Sequence, residues 1–207
     1  MISWLRSHWQ TLVNWFLVFT IGRFAFRQRM EAWRNNRFDA LEGVFVTQNL
    51  AGLVSVLIRS EHRSIEKRVW PQIVALTAFF SGAGFVQTDD ASSILIRLAR
   101  GFIFAAVTIG ILSFMSLGRS FGILVAVRQV RTTGLYRFIR HPMYLSDLLW
   151  RIGYILKNAC KRNLVLFLIS SGCYVYRAIL EERFLDEDPA YLEYRRQVPF
   201  RFIPGIF

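Results

Sequence analysis

Residues 101–117 read GFIFAAVTIGILSFMSL, an apolar run without a charged side chain. An α-helix rises about 1.5 Å per residue, so about 20 apolar residues are needed to cross a hydrocarbon core of roughly 30 Å. Polar and apolar residues do not alternate in this run, which argues against a membrane-spanning β-strand. The run therefore predicts an apolar α-helix close to the length of a membrane span.

Six further apolar segments share this character. They are residues 9–21, 43–58, 71–86, 121–127, 144–156 and 164–179. Several are shorter than a full span, so we expect about five spanning helices, with the remaining segments interfacial or re-entrant. The sequence thus predicts an all-α, polytopic integral membrane protein.

Composition supports a membrane protein. The chain has 207 residues, of which 54% are hydrophobic and 15% aromatic, yet its net charge is +12. A basic chain can bind nucleic acid, but here Arg and Lys stand at the ends of apolar runs and not along one polar face, so we expect no nucleic-acid partner. Cys160 and Cys173 have neither a disulfide framework nor metal-ligand spacing; we predict small core residues and no metal site.

Basic residues predict how the chain is oriented. On one side of the later helices we place Arg128, Arg131, Arg137, Arg140, Arg183, Arg195, Arg196 and Arg201, and on the opposite side Asp89 and Asp90. The positive-inside bias then puts the loop at 134–146 and the C-terminus in the cytoplasm. The basic cluster at 23–37 does not fit two full N-terminal spans, so either segment 9–21 lies in the interface or segment 43–58 fails to cross.

The segment GLYRFIRHPMYLS (residues 134–146), called the basic loop below, places cations beside a proline. Proline is favoured in the first turn of a helix, so we expect a helix to begin near His141 or Pro142. Free amides of that first turn, with Arg140 and His141, would form an anion site. The alternative is a basic loop that contacts lipid phosphates.

Two adjacent carboxylates follow the last long apolar segment, in YRAILEERFL. Acidic residues at a membrane boundary are costly unless they are hydrated or paired. Arg177 and Glu181 have the spacing of an ordinary helical ion pair, whereas Glu182 is left without an explanation. Paired carboxylates and an anion site on one membrane face suit a zwitterionic ligand that carries extra positive charge.

Four linked stretches resemble the isoprenylcysteine carboxyl methyltransferase superfamily of integral membrane methyltransferases, which includes the phospholipid N-methyltransferases. They are LGRSFGIL (117–124), TTGLYRFIRHPMYLS (132–146), RAILEERFL (177–185) and DPAYLEYRRQVPFRFIPGIF (188–207). The resemblance covers roughly the C-terminal half of the chain. It implies a methyltransferase core at 101–207, preceded by variable membrane helices at 1–100.

The resemblance also implies S-adenosylmethionine as the cofactor, in a cytoplasmic pocket built from the C-terminal half. The implied cofactor-binding residues are Tyr136, Arg140, His141, Tyr144, Glu181 and Glu182, with Arg140 also catalytic. Arg140 or His141 would hold the cofactor carboxylate, and Glu181 or Glu182 its ammonium. The family usually has glycine where this chain has Ser146. The tail (residues 188–207) would fold back as a lid, or else lie on the surface, anchored by aromatic residues at the interface.

The implied activity is methyl transfer to a lipophilic or membrane-resident acceptor, whether a carboxylate, thiol, amine or hydroxyl. Membrane lipids are the expected surroundings. Two alternatives stay open at this point: a membrane reductase of the sterol-reductase type that uses a nicotinamide cofactor, and a non-enzymatic membrane scaffold. An amine or phenol acceptor would need somewhere for a proton to go, and only His141 and the tyrosines offer a base.

Overall fold

The computed structural model describes residues 15, 16, 18–20, 22, 23, 26, 30, 34, 50–55, 57, 58, 64, 65, 68–88, 91–120, 126, 127 and 130–206. Most of the apolar segment 9–21, half of the segment 43–58, much of the basic cluster at 23–37, and Asp89 and Asp90 lie outside the described residues. The choice between an interfacial first segment and a second segment that fails to cross therefore stays open.

Helices carry the described part of the fold, as predicted. Five have both ends described: α1 Val69–Phe80, α2 Ser93–Leu117, α3 Pro142–Lys157, α4 Lys161–Leu185 and α5 Pro189–Gln197. Short 3-10 turns occupy Ser81–Gly84, Gly118–Ser120 and Gly134–Arg137. A two-residue antiparallel pair joins β1 Ser64–Ile65 to β2 Ala126–Val127, with Ser64 opposite Val127. The end of the apolar segment 121–127 is thus extended and not helical.

Local capping explains where the helices begin. Ser92 accepts a hydrogen bond from the Leu95 amide at 3.4 Å, so α2 starts eight residues before the apolar run at 101–117. Pro142 is the first residue of α3, as predicted, because proline has no amide that the helix must satisfy. Asp188 caps α5 by accepting from the Ala190 amide at 2.9 Å.

Small residues allow α2 and α3 to pack closely along their length. A Cβ atom on Gly153 would lie 2.7 Å from Ile103 Cγ1 and 2.9 Å from the Ala99 carbonyl oxygen, so only glycine fits there. Nearer the start of α3, Ser146 is fully buried and donates to the Ala106 carbonyl oxygen at 2.7 Å. The serine in place of the family glycine thus joins α3 to α2.

Two of the described helices, α2 and α4, are long and apolar enough to span a membrane, and α1 is a shorter apolar helix. Their outward residues are apolar: Met115 on α2 is 75% exposed and Leu168 on α4 is 61% exposed. A polytopic chain with about five spans stays a prediction, since the described residues contain two such helices. The orientation relative to the cytoplasm also stays a prediction.

One end of the helix bundle gathers the segments that carry the predicted site. The end of α2 meets the turn Gly134–Arg137, the start of α3 meets the end of α4, and the tail packs against both. The predicted boundary between residues 100 and 101 falls inside α2, which continues through it. The two predicted regions, 1–100 and 101–207, are therefore not separate structural units. Their different roles, as substrate region and methyltransferase core, stay a prediction.

Candidate functional site

The basic loop is fixed by a glycine that no other residue could replace without strain. Gly134 has φ +61°, a conformation that L side chains rarely adopt, and a Cβ atom there would lie 2.0 Å from Ser116 Oγ. The turn therefore packs directly on the end of α2. From it the chain passes through Arg140 and His141, which are buried, into α3.

Glu182 is the centre of a buried ionic cluster. Its Oε1 accepts from Arg140 Nε at 2.8 Å and lies 3.0 Å from His141 Nε2, and its Oε2 accepts from Arg201 Nε at 2.9 Å. The Glu182 side chain is only 3% exposed. Such charge-assisted bonds are the strong ones in a dry environment. One carboxylate on α4 therefore joins the basic loop to the tail, which accounts for the residue that sequence left unexplained.

Glu181 has a different environment, although it is the next residue. Its Oε1 accepts from Arg177 Nε at 3.0 Å, so the ordinary helical ion pair is present, and its Oε2 accepts from the Tyr144 hydroxyl at 2.5 Å. The side chain is 17% exposed. Each Glu181 oxygen accepts one bond, whereas a carboxylate oxygen has two lone pairs. Glu181 is therefore the more accessible acceptor of the two.

The ring of Tyr144 is already in contact with charged and aromatic neighbours. It stacks on His141 with centroids 5.2 Å apart and an interplanar angle of 9°, and Arg177 Cζ lies 5.0 Å from its centroid. Tyr144 thereby aligns the predicted residues His141 and Glu181. Its contribution to the site is to position these groups.

The tail lies against the basic loop, as the resemblance suggested for a lid. The amides of Arg140 and His141 donate to the carbonyl oxygens of Phe200 and Arg201, both at 2.9 Å, and Arg140 Nη1 donates to the Val198 carbonyl oxygen at 2.7 Å. The amides of Tyr144 and Leu145 donate to the His141 carbonyl oxygen. The expectation of free amides at the start of α3 is wrong for these positions, because the chain itself supplies their acceptors. The first turn of α3 therefore contributes less to anion binding than expected, and the side chains contribute more.

Tyrosines form the contact between the tail and the turn Gly134–Arg137. The Tyr194 hydroxyl donates to the Tyr136 carbonyl oxygen at 2.7 Å, and both rings pack with Tyr191 and Val198 in one buried cluster. Burial raises the pKa of Tyr136, Tyr191 and Tyr194 well above the ordinary value. All three phenols therefore stay protonated at neutral pH and can act as hydrogen-bond donors.

The hydroxyl of Tyr191 is buried, and among the described residues no hydrogen-bond partner is within reach of it. The charges of Glu182 and Arg140 are close enough to act on it. An unpaired buried hydroxyl is costly, by about 1–3 kcal/mol, so an ordered water or a ligand atom is expected to bond to this group. The sequence resemblance pointed to this residue only as part of the tail.

The charges near the two glutamates add up to an electropositive site. Three guanidinium groups, those of Arg140, Arg177 and Arg201, face the two carboxylates of Glu181 and Glu182. The structure thus brings together five of the six predicted residues through side-chain contacts, and it brings Tyr136 to the same end through the tail. Arg177 and Arg201 are the partners that the prediction of the binding residues did not include.

Arg151, a buried arginine that sequence reasoning passed over, lies deeper between α1, α3 and α4. Its guanidinium donates to the carbonyl oxygens of Asp147 and Ala78 and to the hydroxyls of Ser170 and Ser81, at 3.0 to 3.1 Å. A lone arginine within the apolar segment 144–156 was the signal that could have found it, because a charge in such a run is costly unless bonded.

Comparison with protein families gives one match. Residues 92–188 match the family described as phospholipid methyltransferase. No curated protein matches the chain significantly. The matched segment runs from the cap of α2 to the cap of α5, so it includes every predicted binding residue and leaves most of the tail outside. The resemblance seen in the motifs is thereby confirmed, and with two apolar helices of spanning length it indicates a membrane-associated methyltransferase. Residues 92–188, close to half of the chain, are thus similar to the phospholipid methyltransferase family, which is part of the superfamily of isoprenylcysteine carboxyl and phospholipid membrane methyltransferases that the motifs resemble.

Proposed function

We propose that the chain uses S-adenosylmethionine to methylate a lipophilic or membrane-resident acceptor, with the cofactor bound between the basic loop and Glu181. The observation that carries the proposal is a partly accessible carboxylate, Glu181, which is paired with Arg177 and lies next to the Glu182 cluster, inside the segment that matches the phospholipid methyltransferase family. That arrangement offers both signs of charge within one small region.

The groups present fit the charges of the cofactor. Its ammonium suits Glu181, whose two oxygens each have a lone pair left. Its carboxylate suits Arg140, which has N–H groups beyond the two used within the chain. The buried Tyr191 hydroxyl offers a further donor. When bound, the cofactor would supply a methyl group on a positively charged sulfur, and a lone pair of the acceptor would attack that methyl carbon with sulfur as the leaving group.

In this proposal Glu182 holds the site together, and Arg140 does so in addition to binding the cofactor carboxylate. Glu182 is bonded to two arginines and a histidine, so its capacity is largely used in holding the loop and the tail together. Arg140, predicted as catalytic, is 7% exposed and donates hydrogen bonds to the Glu182 carboxylate and the Val198 carbonyl oxygen. Rigid placement of this kind is worth effective molarities on the order of 10⁵ M or more when two reactants are held together.

Calorimetric titration of detergent-purified protein tests the proposal. Saturable binding of S-adenosylhomocysteine, with no binding of a reduced nicotinamide dinucleotide, is the expected result. We expect His141→Ala to weaken that binding, because it removes one contact of Glu182 and the ring on which Tyr144 stacks. Binding of the dinucleotide alone would favour a reductase, and binding of neither by folded protein would favour a scaffold.

A further inference from the structure

Five exposed cations lie at the end of the helix bundle away from the proposed cofactor site. A Cβ atom on Gly153 of α3 would lie 2.9 Å from the Ala99 carbonyl oxygen, so the end of α3 packs beside the start of α2. Residues 158–160 connect α3 to α4, and α4 therefore begins at the same end. The five cations, called the distal patch below, are Arg97, Arg100, Lys157, Lys161 and Arg162.

Buried asparagines hold this end of the bundle together. Asn163 Oδ1 accepts a hydrogen bond from the Val86 amide at 3.0 Å, and Asn163 Nδ2 donates to the carbonyl oxygens of Val86 and Asn158 at 2.8 and 2.7 Å. Of the five cations, Arg162 joins this framework, since its Nε donates to the Gly84 carbonyl oxygen at 3.1 Å. No described residue forms a hydrogen bond or an ion pair with the side chains of the other four. The asparagine network therefore supports the patch without using most of its charges.

The two ends of the bundle differ in the pairing of their charges. At the cofactor end, Glu181, Glu182 and Asp186 each form an ion pair with an arginine. In the distal patch, none of the cations has an acidic partner among the described residues. Asp89 and Asp90, which lie outside the described residues, add two negative charges to this part of the sequence, against five positive ones. Positive charge is therefore in excess at this end, where it would attract an anionic partner.

Exposed apolar side chains adjoin the distal patch on both spanning helices. Leu98 and Phe104 on α2, and Val165 and Leu168 on α4, are each more than half exposed. Each lies within about two helical turns of the nearest cation on its helix. An anionic phospholipid has the same two parts, because its charged headgroup adjoins apolar chains, and Lys and Arg can place their alkyl stems on apolar surface with the charge at the headgroup. A nucleic acid or an acidic protein segment would match the charges alone.

We propose that the distal patch is a binding surface for anionic phospholipid headgroups, in the leaflet at the end where α2 and α4 begin. Each cation near an anionic membrane surface adds to the attraction, so the five together should favour anionic over zwitterionic lipid. The inference goes beyond the proposed function and does not depend on it, because roughly 30 Å of helix separates Arg162 from Glu181. A lipid bound at the patch is therefore a partner of the chain and not its methyl acceptor.

Electron paramagnetic resonance of spin-labelled lipids tests this inference in a bilayer. The full chain is reconstituted into phosphatidylcholine vesicles that contain a trace of spin-labelled phosphatidylglycerol or of spin-labelled phosphatidylcholine with the same acyl chains. The spectrum separates lipid held at the protein surface from free lipid, so the ratio of the two gives a relative affinity. The test variant neutralises three cations that no described residue bonds: Arg97→Gln/Lys157→Gln/Lys161→Gln.

Two matched variants serve as controls. The first exchanges the residues at the same positions but keeps their charge: Arg97→Lys/Lys157→Arg/Lys161→Arg. The second removes an equal charge from exposed arginines at the cofactor end: Arg137→Gln/Arg183→Gln/Arg196→Gln. Melting curves establish that each variant is folded before its lipid preference is measured.

We expect the wild type and the charge-conserving variant to prefer phosphatidylglycerol by about five-fold or more, the factor that one cation at an anionic surface supplies. The preference of the neutralised variant should fall below about two-fold, while the variant at the cofactor end should keep most of its preference. Added salt should lower the preference of the wild type, because ions screen exposed charges.

Several results would overturn the inference. Equal affinity of the wild type for both lipids, or a preference that survives neutralisation of the patch, shows that the patch does not bind anionic headgroups. An equal loss in the cofactor-end variant shows that only the overall charge of the chain matters. Loss of the preference on addition of inorganic phosphate at constant ionic strength shows a site for a free anion. Binding of S-adenosylhomocysteine is a separate measurement, so this inference and the proposed function can fail independently.

Discussion

Replacing Glu182 by glutamine removes the charge that joins the basic loop to the tail. Glutamine keeps one acceptor oxygen, but it places an NH₂ group where a carboxylate oxygen now faces an arginine. Arg140 would stay buried without its anionic partner, and Arg201, whose side chain is 29% exposed, would turn to water. The substitution therefore tests whether this one side chain organises the site.

The expected loss of stability follows from burial. Removing one partner of a buried ion pair costs about 3–5 kcal/mol, and because Arg201 can become hydrated we expect the lower end, about 3 kcal/mol. For a chain of this size 1 kcal/mol corresponds to about 2–4 °C, so the unfolding temperature should fall by roughly 6–12 °C. Glu181→Gln, at a side chain that is more exposed and accepts two bonds, should cost less.

Thermal unfolding of detergent-purified protein, followed by helical circular dichroism, measures this loss. Limited proteolysis reports on the tail separately, because Glu182→Gln should loosen the backbone of the tail and let trypsin cleave at its arginines at lower temperature. A fall of less than about 2 °C, with the tail still protected, would refute the reasoning, since the three bonds of Glu182 would then contribute little.

Three further predictions concern the surroundings of the site. Gly134→Ala should destabilise the protein by about 2 kcal/mol or more, because it adds left-handed backbone strain and a clash with the facing serine hydroxyl of α2; Gly172→Ala, which adds a Cβ atom in open space on α4, should be neutral or stabilising in the same melts. Arg151→Met should cost about 1–3 kcal/mol in thermal unfolding, because it leaves carbonyl and hydroxyl groups unbonded between three helices, and an unchanged melt would show that water replaces the guanidinium. Burial raises the pKa of Tyr191 and Tyr194 above the unfolded value of about 10, so their contribution to docking of the tail should be complete at neutral pH and decline above about pH 10. Limited proteolysis at a series of pH values measures this decline, and a tail that already becomes easier to cleave between pH 7 and about pH 10 would contradict the prediction.

The motifs of the C-terminal half predicted which residues lie near one another better than they predicted the contacts between them. Pro142 fixed the start of α3, and the resemblance assigned His141, Tyr144 and Glu182 to one region, where the structure also has them. These inferences succeeded because a helix start and a motif are local features of the sequence. The resemblance also implied a tail that folds back as a lid; in the structure the tail lies against the basic loop, where its carbonyl groups accept the loop amides, and its role as a lid stays a prediction.

The different partners and exposure of Glu181 and Glu182 were not predictable from sequence. Adjacent residues on a helix point about 100° apart, so Glu181 faces Arg177 and Tyr144 while Glu182 faces the loop and the tail, but which direction is buried depends on long-range packing. The role of Ser146 was equally hidden, since its acceptor is 40 residues away on α2.

The central claim is that Glu181, presented by the basic loop and α4, holds the ammonium of S-adenosylmethionine. Its most direct test is the affinity of S-adenosylhomocysteine, measured by calorimetry, for the wild type, Glu181→Gln and the control Glu187→Gln. We predict that Glu181→Gln weakens binding about ten-fold or more at a temperature where its melting curve shows it to be folded, and that Glu187→Gln binds normally. Equal affinity for all three proteins would contradict the claim and place the ammonium elsewhere.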